Sequence, residues 1–284
     1  MTNVPDSLTG VGATALGVAL LRAQESDRQD RLFDDPYARH FLQAVAPDST
    51  PWAAGAAHAT APFLRAMAEQ VAVRTRFFDR ALLNATAQGC DQVVLVACGL
   101  DARAFRLGWP PGTTIFELDF ADVLAFKSAV LARHHATPGC RRLEVAADLR
   151  QDWPNALKAA GFDPERPAAW LAEGILYALP PSAADLLLDR ITATSAPAST
   201  LVLDHAEDSD LLRAARADIS AELVDLWQGG PTENLDTWLA RRGWQPDVTD
   251  IAEAAAACGR PAPPALDPAR ADAGQGWLAT ARLR

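Results

Sequence analysis

The chain has 284 residues, 49% of them hydrophobic, and a formal net charge of −10. That length suits one large α/β domain or two smaller ones, with ample apolar material for a core. The acidic balance excludes a broad nucleic-acid surface and a polybasic membrane anchor.

Residues 1–9 are polar and read as loose chain. A helix is predicted over 10–24, with Ala15, Leu16, Ala19, Leu20 and Ala23 on one stripe. The charged segment after it holds Arg22, Arg28 and Arg31 among acids. It reads either as a solvated loop or as a lid that brings Arg22 or Arg28 to an anionic group. Pro36 suits the first turn of a short helix ending near Ala46. Residues 47–60 read as a connector, and 62–88 as a long helix through Phe63, Met67, Val71, Phe78 and Leu82. Arg74 lies inside that helix, where a core-facing arginine needs an anionic partner.

From residue 92 the pattern alternates. Strands are predicted at 92–98, 113–119, 142–147, 168–173 and 199–205, with helices at 101–106, 120–135, 152–160 and 182–195 between them. Such alternation predicts a parallel, doubly wound sheet with right-handed crossovers. Helices are then expected near 208–228 and over 233–242, the latter capped by Thr232 and ended by Gly243. Residues 244–250 and 276–283 read as a final antiparallel pair at the sheet edge. No helix is expected between them, and the alanine-rich stretch 252–257 reads as compositional only.

Cys90, Cys98, Cys140 and Cys258 are scattered and form no CxxC pair, so neither a zinc knuckle nor a disulfide framework is suggested. Free thiols in a reducing cytoplasm are the expectation. The N-terminus lacks the basic region of a signal peptide. The best apolar stretch, 168–188, is interrupted by Glu173, Pro180, Pro181 and Asp185 and does not read as a membrane span.

The stretch 92–119 organises the chain. Val93 to Val96 read as a strand buried on both faces, ending in the small-residue turn Ala97-Cys98-Gly99. Asp119 follows that glycine by the spacing that sets a carboxylate on a ribose diol. Three further acids stand beside strand ends: Asp101, Asp148 and Glu173. Ligands of open α/β sheets sit outside those ends. The row suggests a ligand that donates several hydrogen bonds and carries positive charge; alternatively, Asp148 caps a helix and Glu173 pairs with an arginine. S-adenosyl-L-methionine matches the first reading through its ribose diol, adenine amino group, ammonium, sulfonium and single carboxylate. An NAD pyrophosphate instead wants the full glycine-rich turn, which is absent here.

The segments TALGVALLRAQESDRQDRLFDDPYA, VAVRTRFFD, VVLVACGLDARAFRL, FELDFADVLAFK, ADLRQDW, AEGILYALP and WLARRGW resemble the bacterial class I methyltransferases related to leucine carboxyl methyltransferase. That group holds many actinobacterial members and some polyketide carboxyl O-methyltransferases, and the resemblance covers about residues 13–245. It implies a Rossmann-like α/β fold: a seven-stranded, mostly parallel sheet with an antiparallel C-terminal strand and a helical N-terminal cap. The cap is expected over 1–60 and the S-adenosyl-L-methionine-binding core over 61–284.

The resemblance also implies roles. Arg74 is expected to clamp the methionine carboxylate, Gly99 to pass close to the cofactor and Asp119 to bind the ribose. Asp148 and Leu149 are expected at the adenine, and Glu173 at the methionine end. Ala97 stands where the family usually has glycine, and is expected to keep strand geometry.

The expected reaction is transfer of the sulfonium methyl to a carboxylate or hydroxyl of a small acceptor, with no nucleic-acid or membrane partner and no metal. A carboxylate needs no base near pH 7, whereas a phenol, with a pKa of about 10, needs one. His205, just past the fifth strand, is the candidate base; a loop or capping histidine is the alternative. Trp52, Trp227 and Trp238 are candidates for an aromatic acceptor pocket. A non-catalytic nucleotide-binding module is the alternative function. Monomer and homodimer stay open.

Overall fold

The computed structural model describes residues 14–45, 57–217 and 227–284. Predictions for residues 1–13, residues 47–56 of the 47–60 connector, Trp52 and the latter part of the 208–228 helix lie outside the described residues, and residues 57–60 of that connector belong instead to the helix Ala57–Ala87.

The elements follow the predicted alternation. In chain order they are α1 (Thr14–Ser26), α2 (Ala38–Ala44), α3 (Ala57–Ala87), β1 (Gln92–Val96), α4 (Arg103–Arg106), β2 (Thr114–Asp119), α5 (Ala121–Arg133), β3 (Arg141–Ala146), α6 (Trp153–Ala159) and β4 (Ala168–Ala172). Then come α7 (Pro181–Ala193), β5 (Thr200–Ala206), α8 (Asp210–Arg216), α9 (Leu235–Ala240), β6 (Trp244–Asp250), α10 (Ile251–Ala257) and β7 (Gly276–Leu283). The position expected to divide cap from core, residue 60, lies inside the helix Ala57–Ala87.

The seven strands are ordered β3-β2-β1-β4-β5-β7-β6. All neighbours pair in parallel except β7, which runs antiparallel to both β5 and β6. This is the Rossmann-like architecture expected from the sequence. The order reverses between β1 and β4, so their carboxyl ends flank the crevice where ligands of such sheets bind.

Every residue of β1 and of β4 is buried, which explains their unbroken apolar runs. Alternate side chains serve opposite faces. Val93, Leu95, Ile115, Leu171 and Val202 join one core with Leu16 of α1, Phe78 and Leu82 of α3 and Val123 of α5. Val94, Val96, Phe116 and Trp170 join the other with Trp153 of α6, Leu188 of α7 and Trp238 of α9.

Two expectations need correction. Residues 251–257 form α10, although no helix was expected there. The Asp250 side chain caps it by accepting from the Ala252 amide at 2.7 Å, and alanine has the strongest intrinsic helix preference. The Ala-rich stretch buries Ala254 and Ala255. The second correction concerns Ala97, which leaves strand geometry and adopts φ 49°. That is the left-handed region, where a Cβ costs about 1 kcal/mol or more.

Candidate functional site

A cavity of about 260 Å³ opens at the carboxyl ends of β1, β2 and β4. Its floor is the turn after β1. Gly99, at φ 48°, turns its amide toward β2 and donates to Asp119 Oδ2 at 2.7 Å. A Cβ at Gly99 would stand 3.4 Å from Ala15 Cβ, so α1 packs directly over the turn. Asp119 also accepts from the Phe120 amide at 2.7 Å. Burial raises its pKa, against the lowering effect of these two amides.

The opposite wall is the end of β4. Glu173 Oε1 accepts from Arg22 Nη2 at 2.7 Å, and Oε2 accepts from Arg103 Nη1 at 2.7 Å. Arg74 Nε lies 3.2 Å from Glu173 Oε1. Burial opposes ionisation of Glu173, but Arg22, Arg103 and Arg74 outweigh it and hold the carboxyl below its ordinary range. Gly174, at φ 69°, donates its amide to Asp204 Oδ1 at 2.6 Å. Asp204 Oδ2 in turn accepts from Arg74 Nη1 at 3.1 Å. Arg103 is fully buried and also holds Asp79 at 2.7 Å and Asp101. A carboxylate with three guanidinium neighbours is a buried network in which each charge is answered.

The structure therefore brings Arg74, Gly99, Asp101, Asp119 and Glu173 to one cavity, together with Arg22, Phe120 and Tyr177. Of the two arginines considered for a lid, Arg22 lines the cavity and pairs with Glu173. Arg28 instead faces outward, to Asp30 at 2.9 Å and Glu69 at 3.1 Å. Glu173 pairs with arginines, as one of its two readings had it, and also lines the cavity.

Asp148 and Leu149 do not line that cavity. Asp148 pairs at the surface with Arg150 at 2.6 Å, and the Leu149 carbonyl accepts from Arg190 Nη1 at 2.9 Å. His205 does not line it either. Its ring stacks on Trp277 with centroids 6.0 Å apart, its Nδ1 is buried without a hydrogen-bond partner, and burial lowers its pKa to about 4. Trp238 is core, donating to Asp185 at 2.7 Å, whereas Trp227 stacks on Tyr177 with centroids 4.7 Å apart.

Sequence reasoning passed over Asp204 and Arg103. Asp204 lies two residues before the end of the fifth strand, close to where the rule that marked the other strand-end acids applies. Arg103 sits in the GLDARAFRL segment, but nothing in its spacing announced a fully buried cation. Among the described residues no group of three or more histidine, cysteine, aspartate or glutamate side chains is placed to hold a metal, and no helix is long and apolar enough to cross a membrane.

The chain is similar to known proteins. The leucine carboxyl methyltransferase family matches residues 15–192. A Frankia alni protein, provisionally named an S-adenosyl-L-methionine-dependent methyltransferase, is 46% identical over 256 residues, 89% of this chain and 90% of that protein. A Rhodococcus jostii protein with the same provisional name is 44% identical over 275 residues, 91% of this chain and 90% of that one. Among solved structures, a provisionally assigned methyltransferase from Thermobifida fusca aligns with TM-score 0.57 at 19% identity, covering 95% of this chain and 94% of that one. That likeness speaks to the fold, whereas the matched family and the sequence relatives decide descent: the chain belongs to the leucine carboxyl methyltransferase family of class I methyltransferases.

Proposed function

We propose that the protein is an O-methyltransferase, moving a methyl group from S-adenosyl-L-methionine to a carboxylate or hydroxyl of a small secondary metabolite. S-adenosyl-L-methionine dependence follows from the family and its relatives. The observation that carries the reading is the convergence of Arg74, Gly99, Asp119 and Glu173 on one cavity at the sheet's reversal point.

The donor set fits the cofactor. Asp119 offers a half-buried carboxylate to a ribose diol. Glu173 offers an anion to an ammonium. Arg22 carries a buried Nε–H group without a hydrogen-bond partner, which suits a carboxylate. When bound, the cofactor supplies an electrophilic methyl on a sulfonium.

The chain's own contribution is orientation and exclusion of water. Arg74 is fixed by Asp204 and Glu173, so it meets a ligand carboxylate without reorganising. The acceptor's nature follows from what is missing beside it. Among the described residues no histidine lines the cavity. Tyr177 stays protonated because burial raises its pKa. Glu173 is a poor base because its carboxyl is held acidic. These features favour an acceptor already ionised at pH 7, a carboxylate, over a phenol.

Incubation with methyl-labelled cofactor and a metabolite extract tests this. The expected product is a methyl ester that releases methanol in mild alkali. An alkali-stable ether assigns the hydroxyl, and label on nitrogen refutes O-transfer.

A further inference from the structure

A second, narrower cavity of about 30 Å³ adjoins the first, and the two share Thr14, Val18, Arg74 and Tyr177. The rest of its wall is Gly17, Leu21, Phe63, Leu64, Met67, Val71 and Trp227. Apart from Arg74, whose charge Asp204 and Glu173 already answer, none of the described residues lining it is charged. Tyr177, stacked on Trp227 at 4.7 Å, lines both spaces.

We infer that this cleft is the acceptor subsite and takes a small apolar group of the acceptor beside its reacting oxygen. The inference rests on the reading of the larger cavity as the cofactor site. Arg74 and Glu173 then mark the methionine end, and Arg74 and Tyr177 stand at the mouth of the cleft. An acceptor at that junction meets aliphatic and aromatic walls. Those walls give a sugar or a second carboxylate few polar partners and give an ammonium no counter-charge. At about 30 Å³ the space is far smaller than the roughly 150 Å³ cavity that admits a benzene ring, so a methyl-sized branch fits and a ring does not without movement of the wall. Met67, 5% exposed and on the rigid helix α3, sets that limit.

The test has two arms on the intact protein saturated with S-adenosylhomocysteine or its methylated parent. In the first, xenon is added and methyl resonances of Leu21, Leu64, Met67 and Val71 are followed. They shift if the cleft is an open apolar site, and their silence overturns it. In the second, labelled cofactor is supplied with organic-phase and aqueous-phase metabolite extracts of an actinobacterial culture. Label is expected in the organic fraction, and Met67→Ala raises the share of bulkier products at least tenfold while the volume-matched Met67→Leu does not. Label confined to polar products, or an unchanged product range in Met67→Ala, overturns the acceptor role and leaves the methyltransferase standing. Label in neither extract alongside xenon shifts counts against the methyltransferase and retains the apolar cleft.

Discussion

Arg22 Nη2 donates to Glu173 Oε1 at 2.7 Å, joining α1 to the tip of β4 across 151 positions of sequence. Both side chains are nearly buried, at 6% and 11% exposure. The N-terminal helix is thus attached to the wall of the cavity by charge as well as by packing.

Replacing Arg22 with methionine keeps the bulk and removes the charge. Glu173 retains Arg74 and Arg103, so the expected loss is that of one charge-assisted hydrogen bond, about 1–3 kcal/mol. Urea unfolding of the two proteins measures it. A change below the error of extrapolation would mean that α1 is held by its apolar stripe alone.

Glu173 gives stability a definite pH dependence. Its folded-state pKa is lowered below the ordinary 4.5, so its contribution is complete above that value. The contribution fades as pH falls further, through the depressed folded-state value. Glu173→Gln is therefore expected to be less stable than the parent at pH 7, with the gap closing below pH 4.5. Urea midpoints at a series of pH values check this, and a gap independent of pH contradicts it.

Ala97 sits at φ 49°, where glycine pays no Cβ penalty. Ala97→Gly is expected to stabilise the protein by about 1 kcal/mol, equivalent to roughly 2–4 °C in melting temperature. Thermal melts of both proteins decide it. An unchanged or lowered melting point would show that the glycine's added freedom in the unfolded chain cancels the relief.

Asp119 and Asp148 should separate in a binding experiment. Asp119→Asn loses a half-buried charged acceptor in the cavity, and S-adenosylhomocysteine affinity should fall by about 1.5–3 kcal/mol, roughly tenfold to a hundredfold. Asp148 is engaged by Arg150 at the surface and lies outside the lining, so Asp148→Asn should change affinity less than about threefold. Calorimetric titration of both variants reads the difference. Equal losses would extend the cofactor site to the end of β3.

Most of the sheet was legible because β1 and β4 are buried on both faces, so apolar residues follow one another there almost without interruption. The site was legible where a backbone rule fixes it, as at Gly99 and Asp119, whose spacing reflects a turn and the next strand end. It was not legible where long side chains decide. The sequence places Arg103 and Glu173 70 positions apart, and only the fold makes them one ion pair. His205 looked available from its strand-end position. Its partner Trp277 comes from β7, the antiparallel neighbour, and covers it. Helix α10 was missed because a single capping aspartate ends β6 and starts the helix without a break.

Amide hydrogen exchange with and without S-adenosyl-L-methionine tests the central claim most directly. Residues 97–101, 119–123 and 173–177 are expected to gain protection together, because all three segments line the same cavity. Protection elsewhere, or no change on adding saturating cofactor, would contradict the assignment of that cavity.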